Sequence, residues 1–296
     1  MSIHAMKSSA ISVASSDTEL RVMLTARCMG IRKTIALVPT MGCLHAGHAQ
    51  LIRQARKMAD IVIVSIYVNP LQFGPNEDFE RYPRSFEADA ELCASEGADI
   101  IFHPDNLYPE DGPKVTLSVR DLGDVLCGAS RPGHFDGVAS VVSILFNAVR
   151  PDIAVFGEKD WQQLAIIRRM TRDQHMPVQI LGVETVREAD GLAMSSRNRY
   201  LSDAELEKSH ALSDALNRMQ LLAADGEHDT AVLIAAGHTV LQDADIEPEY
   251  LEIRQADSLN KLGTLGEAPA RAFVAARIGP ARLIDNLPLE TTLEKP

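Results

Sequence analysis

Only four cysteines occur in the 296 residues, Cys28, Cys43, Cys93 and Cys127, and no two form a C-x-x-C pair. That scarcity argues against a disulfide framework or a cysteine-built zinc site and fits reduced thiols in the cytoplasm. Long apolar runs are missing too. Ile61 to Val68, and Val138 to Val149 with its serines and asparagine, fall far short of a membrane span. Met1 to Ser16 show no basic region followed by an apolar block, so no secretory leader is expected. Positive charge is in deficit: 41 acidic against 29 basic residues leave a net charge of −12, which speaks against a nucleic-acid partner. The deficit is uneven, because 17 acidic and only 8 basic residues lie from Tyr200 onward, whereas the part before it is close to neutral.

What is present is an alternation of periods. Ser16 to Glu19 can cap a helix running toward Met29, with Gly30 suited to its end. Thr34 to Val38 reads as a strand stopped by Pro39, Gly47 to Ala59 as a helix, and Ile61 to Val68 as a strand buried on both faces. Phe86 to Glu96, Val138 to Val149 and Trp161 to Asp173 have helical patterns, and Asp99 to Phe102, Ile153 to Phe156 and Val178 to Val183 have strand patterns. This order predicts an α/β protein with a Rossmann-like, doubly wound parallel sheet and ligands at the carboxyl ends of its strands. After Leu201 come two long helical patterns, Asp203 to Ala224 and Thr230 to Asp243, then strand candidates Tyr250 to Arg254 and Arg271 to Ile278. We therefore expect a larger domain over residues 1–186 and a smaller α+β C-terminal domain over 187–296.

Four segments are candidates for chemistry. The stretch Met41, Gly42, Cys43, Leu44, His45, Ala46, Gly47 and His48 follows the first long strand and opens a helix, where free backbone N–H groups suit an anion. His45 and His48, three apart, share one face of a helical turn and can hydrogen-bond phosphate. They also fit two incidental surface histidines; no third ligand completes a zinc set. Gly157, Glu158, Lys159 and Asp160 follow another strand, with Gln163 one turn further on. Lys159 can reach a phosphate there, although an acidic helix start with a solvated lysine has the same composition. Met194, Ser195, Ser196 and Arg197 are suited to gripping phosphate oxygens or to a plain linker. The loop after Val68 carries Gln72, able to read a hydroxyl and a carboxylate together, and leads to Tyr82, Pro83 and Arg84. Arg131 to Phe135 form a further polar loop before a helix.

Taken in order, these segments resemble the pantothenate synthetase (pantoate–β-alanine ligase) family of the nucleotidyltransferase superfamily. The matching stretches are Pro39 to His48, Ser65 to Phe73, Tyr82 to Arg84, Gly128 to Gly137, Pro151 to Leu164, Asp190 to Asn198 and Ala281 to Asn286, covering nearly the whole chain. The resemblance implies ATP-dependent condensation of pantoate with β-alanine through a pantoyl adenylate, releasing pyrophosphate and AMP. It implies ATP binding by Met41 to His48, Gly157 to Asp160, Val186 and Met194 to Arg197, with His48 as proton donor and His45 and Lys159 assisting. Gln72 and Gln163 would bind pantoate, and Tyr82, Arg131 and His134 would line the cleft. Mg²⁺ would accompany ATP; of the family's acidic pair only Asp89 remains here, beside Ala88, so the ion would be carried mainly by the phosphates. The family also implies a cytoplasmic homodimer with small-molecule substrates and no nucleic-acid or membrane partner. A nucleotidyltransferase that keeps the nucleotide in its product is the alternative, against which the two glutamines, suited to a hydroxy acid, discriminate.

Overall fold

The computed structural model describes residues 11–290 apart from Asn76. Most of the Met1 to Ser16 stretch thus lies outside the described residues. The strand and helix periods build a six-stranded, all-parallel sheet from β1 (Ser12–Ala14), β2 (Ile35–Thr40), β3 (Ile61–Ile66), β4 (Ile100–Phe102), β5 (Ile153–Gly157) and β6 (Gln179–Val183). Its order, β1-β4-β3-β2-β5-β6, reverses direction between β2 and β5. All six residues of β3 are buried, as an apolar run without alternation requires when both faces are covered. The covering helices include α1 (Asp17–Cys28), α2 (Ala46–Met58), α3 (Phe86–Ser95), α4 (Cys127–Ser130), α5 (His134–Val149) and α6 (Trp161–Asp173). Ser16 caps α1 by accepting from the Glu19 N–H, and Met29, not only Gly30, takes the left-handed conformation at its end.

Three readings change. Pro39 does not stop β2, which runs on to Thr40. The Ile35 carbonyl accepts from Asp152 next to β5, and the Thr40 carbonyl accepts from Tyr67 after β3. Alternation therefore turns the Pro39 nitrogen toward β5, where pairing has already ended at Leu37–Ala154, so its missing N–H costs no ladder bond. The gap left beyond that pair opens the sheet at its switch point. The polar turn before α5 is shorter than expected, because His134 already belongs to the helix. Finally, β1 and the C-terminal strand Ala281–Leu289 were not read as strands, the first for its brevity and the second for its alternating charged and polar residues.

The chain then forms α7 (Asp203–Ala224), α8 (Thr230–Asp243) and an antiparallel sheet of β7 (Pro248–Gln255), β8 (Ala270–Ile278) and β9 (Ala281–Leu289). Period-2 alternation splits β8 between two cores. Ala272, Val274 and Ala276 join the cluster under α7 and α8, while Phe273 joins the main core of the parallel-sheet domain. One face of this small sheet therefore lies against the larger domain, which brings β9 to the ends of β5 and α6.

Candidate active site

The loop after β2 is shaped by backbone conformations that few residues accept. Gly42 and Cys43 both have positive φ, 81° and 52°, and a Cβ on Gly42 would lie 2.9 Å from Asp89 Oδ2. Asp89 on α3 holds this loop: its Oδ2 accepts from the Cys43 N–H at 2.8 Å and its Oδ1 from the Leu44 N–H at 2.7 Å. The carboxylate is 2% exposed. In this structure the carboxylate anchors a loop. Both its oxygens accept from backbone donors, and among the described residues no group of three His, Cys, Asp or Glu side chains is placed to hold a metal ion. Asp89→Ala should therefore cost about 3 kcal/mol of stability, since it orphans two buried N–H groups. Urea unfolding checks this; a loss below about 0.5 kcal/mol would contradict the anchoring role.

His45 caps α2, with its Nδ1 accepting from the Gly47 N–H at 3.1 Å, and His48 Nδ1 accepts from the His45 N–H at 3.3 Å. Each ring thus uses Nδ1 as an acceptor, so each neutral ring carries its proton on Nε2. The two rings lie 4.2 Å apart. Burial, then the Lys159 charge, lowers the His45 pKa to about 4, and burial, then His45, lowers that of His48 to about 3. At neutral pH both present a neutral N–H rather than an imidazolium. Lys159 and Asp160 act on both histidines electrostatically, which shows that the loops after β2 and β5 face each other across the switch point.

Gln72, on a short 3₁₀ turn after β3, is oriented by its neighbours. Tyr108 Oη donates to Asn69 Oδ1 at 2.7 Å, Asn69 Nδ2 donates to Gln72 Oε1 at 3.0 Å, and Gln72 Nε2 reaches Met41 Sδ at 3.1 Å. Asn69 is 1% exposed, and sequence reasoning missed it although it stood in the same quoted stretch. Gln162 is also buried but is spent on the main chain: it donates to the Leu122 and Val125 carbonyls and accepts from the Cys127 N–H. Gln163, one position on, instead lines the cleft.

A cavity of about 980 Å³ runs along this edge between the two sheets, lined by Gln72, Gln163, Lys159, Asp160, Ser195 and Arg197 among others. Arg131 and His134 line it as well, whereas Tyr82 is buried and does not. The two arginines expected at the cleft are already paired. Arg131 Nε bonds Glu77 at 2.6 Å, and Arg197 Nη2 bonds Asp78 at 3.0 Å. Consecutive carboxylates of one loop thus strap the α4–α5 turn and the Ser195–Arg197 segment together. His134 donates from Nδ1 to the Gln72 carbonyl at 2.8 Å and accepts at Nε2 from Arg131, so both its nitrogens are committed. Burial, then Arg131, lowers its pKa to about 4.

Val186 and Met194 meet: the Met194 N–H donates to the Val186 carbonyl at 3.0 Å, closing a small hairpin that leads into Ser195. Glu158 alone of its segment turns its side chain away, to Arg271 of β8 at 3.1 Å.

The three depressed histidine values carry a stability consequence. The ordinary value in the unfolded chain is about 6.5, so between about pH 4 and 6.5 the unfolded state binds more protons. Stability should be full above about pH 6.5 and fall as pH drops toward 4. Unfolding midpoints across that window check it, and a flat profile would contradict the burial of neutral rings.

Comparison with known proteins agrees with this geometry. A family model described as pantoate-beta-alanine ligase matches residues 12–288. A pantothenate synthetase of Sphingopyxis alaskensis is 53% identical over 259 residues, covering 87% of this chain and 92% of its own. One from Azotobacter vinelandii is 50% identical over 275 residues, covering 92% and 96%. The crystal structure of pantothenate synthetase from Thermus thermophilus superposes with a TM-score of 0.89 at 44% identity, covering 94% of this chain and 99% of that one. The pantoate-beta-alanine ligase of Francisella tularensis, solved in complex with beta-gamma ATP and beta-alanine, gives 0.78 at 32% identity, covering 95% and 99%. With its match running almost end to end, the chain belongs to the pantoate-beta-alanine ligase family.

Proposed function

We propose that the chain condenses pantoate with β-alanine in an ATP-dependent reaction that passes through a pantoyl adenylate. The observation carrying this reading is the convergence of two glutamines with Lys159 and Arg197 on one cleft at the switch point; His45 and His48 do not line that cleft but feel the Lys159 and Asp160 charges from the β2 side. In this reading residues 1–186 form the unit for ATP and pantoate, and 187–296 form the smaller unit with Ser195 to Arg197 at its start. The enzyme acts as a cytoplasmic homodimer.

A carboxylate is a poor acylating agent, so one pantoate oxygen first attacks the α-phosphorus of ATP and pyrophosphate leaves. The β-alanine amine then attacks the acyl carbon, and AMP departs with the oxygen that bridged carbon and phosphorus. Gln72 and Gln163 hold pantoate by its hydroxyl and carboxylate, bringing the nucleophile to phosphorus in a fixed geometry. Lys159 and the Nε2–H groups of His45 and His48 oppose charge growing on the phosphate oxygens, and Ser195, Ser196 and Arg197 close on the nucleotide. The neutral state of His48 makes it a hydrogen-bond donor to the leaving pyrophosphate. Mg²⁺ brought in on the ATP phosphates would screen their charge.

The test is to supply ATP, Mg²⁺, pantoate and β-alanine and identify products by mass. Pantothenate with AMP and pyrophosphate is expected. Release of ADP, or a product that retains the nucleotide, would overturn the reading.

A further inference from the structure

The Ala281 to Asn286 stretch matches the family, yet nothing above gives it work. In the structure it is part of β9, and two adjacent buried residues there, Asp285 (4% exposed) and Asn286 (3% exposed), face opposite sides of the strand. Each reaches a different nucleotide segment of the other domain or the junction. Asn286 donates from Nδ2 to the Glu158 carbonyl at 3.0 Å and to the Lys159 carbonyl at 2.8 Å. Both its amide N–H groups can be spent in this way. Its Oδ1 accepts from Arg271, whose guanidinium lies 3.5 Å from the Trp161 ring centroid and bonds the Glu158 carboxylate. On the other face Asp285 holds Arg187 through both oxygens, at 2.6 and 3.0 Å, and Arg187 also donates to the Gly191 carbonyl at 3.0 Å. That guanidinium sits inside the hairpin joining Val186 to Met194.

We infer that Asp285 and Asn286 are positioning residues through which the C-terminal domain sets the nucleotide site. Asn286 fixes the turn that carries Lys159, and Asp285 fixes the hairpin that presents Ser195 to Arg197. The inference rests on the ATP role proposed above. A three-residue 3₁₀ turn has few backbone bonds of its own, so its carbonyls need outside partners to keep one conformation. A small rotation there swings the long lysine side chain off its phosphate, and misplacement by about 1 Å can cost about 10²-fold.

The informative variant is Asn286→Asp, nearly the same size, which still accepts from Arg271 but turns carboxylate oxygen toward two carbonyls. Binding of a non-hydrolysable ATP analogue is measured by calorimetry for wild type, Asn286→Asp, Lys159→Ala and the double variant. Asn286→Asp should weaken the analogue roughly tenfold or more, with pantoate affinity changed less than about twofold. Because Asn286 acts through Lys159, the double variant should bind about as poorly as Lys159→Ala alone. Asn286→Ser, which keeps one donor, should fall between wild type and Asn286→Asp, and it serves if the aspartate variant fails to fold. Multiplicative losses in the double variant, an equal loss of pantoate binding, or unchanged analogue affinity in folded Asn286→Asp or Asn286→Ser would overturn the inference. Wild type that binds no analogue would sink this inference together with the proposed ATP role. Wild type that binds it but makes no pantothenate would sink only the proposed reaction.

Discussion

Replacing His48 by alanine should slow pantoate-dependent exchange of labelled pyrophosphate into ATP by roughly 10²–10³-fold, the scale for one preorganised donor to developing charge. Because Nδ1 of His48 accepts the His45 N–H, the ring proton sits on Nε2. Because burial holds the pKa at about 3, the ring stays neutral and pays no repulsion against Lys159 at pH 7. Such a ring is already oriented before the nucleotide arrives, so little reorganisation accompanies the reaction. Loss of the cap itself costs only about 1 kcal/mol, so the variant should fold. His48→Gln, which can still donate an N–H, should retain more activity than the alanine variant. Near-normal exchange in folded His48→Ala would remove the residue from the mechanism.

Lys159→Ala should have an effect of similar size, about 10²-fold or more on exchange, together with a raised KM for ATP. The lysine approaches from the β5 side while the histidines approach from the β2 side, so its loss leaves the phosphates gripped from one edge only. A second readout comes from the same geometry. The Lys159 charge helps depress the pKa of His45, so removing it should raise that value from about 4 toward the ordinary range. Proton NMR titration of His45 would show the shift. An unmoved His45, or unchanged ATP saturation, would mean that the two loops do not share one site.

Much of this arrangement is legible along the chain because it depends on local periods. The apolar run Ile61 to Val68, the helical pattern of Trp161 to Asp173 and the capping residues of α1 each report a neighbourhood of a few residues. The HxGH and GEKD segments are equally local, since each follows a strand and opens a helix. What escaped is set by topology. Asp89 meets Cys43 and Leu44 across more than forty residues, an anchoring role that its sequence neighbourhood does not show. Arg131 and Arg197, expected at the cleft, meet Glu77 and Asp78 of a loop remote in sequence. Pro39 continues a strand because its nitrogen faces the side where pairing ends, a fact decided by strand order. β9 carries Asp285 and Asn286 on what looks like a polar tail, and they are buried because Asp285 pairs with Arg187 and Asn286 reaches the Glu158 and Lys159 carbonyls of the other domain. The excess acidity of the C-terminal part likewise hid that its inner face carries Arg271 and Asn286 to the Glu158–Asp160 turn.

On the proposed route, pantoate carboxylate, not water or a phosphate oxygen, would attack the α-phosphorus. The most direct measurement uses pantoate labelled with ¹⁸O in both carboxylate positions, with ATP, Mg²⁺ and β-alanine, and follows the label by mass. One ¹⁸O should appear in AMP and the other in the amide carbonyl of the product. Label in inorganic phosphate, or AMP free of label while pantothenate forms, would contradict the adenylate route.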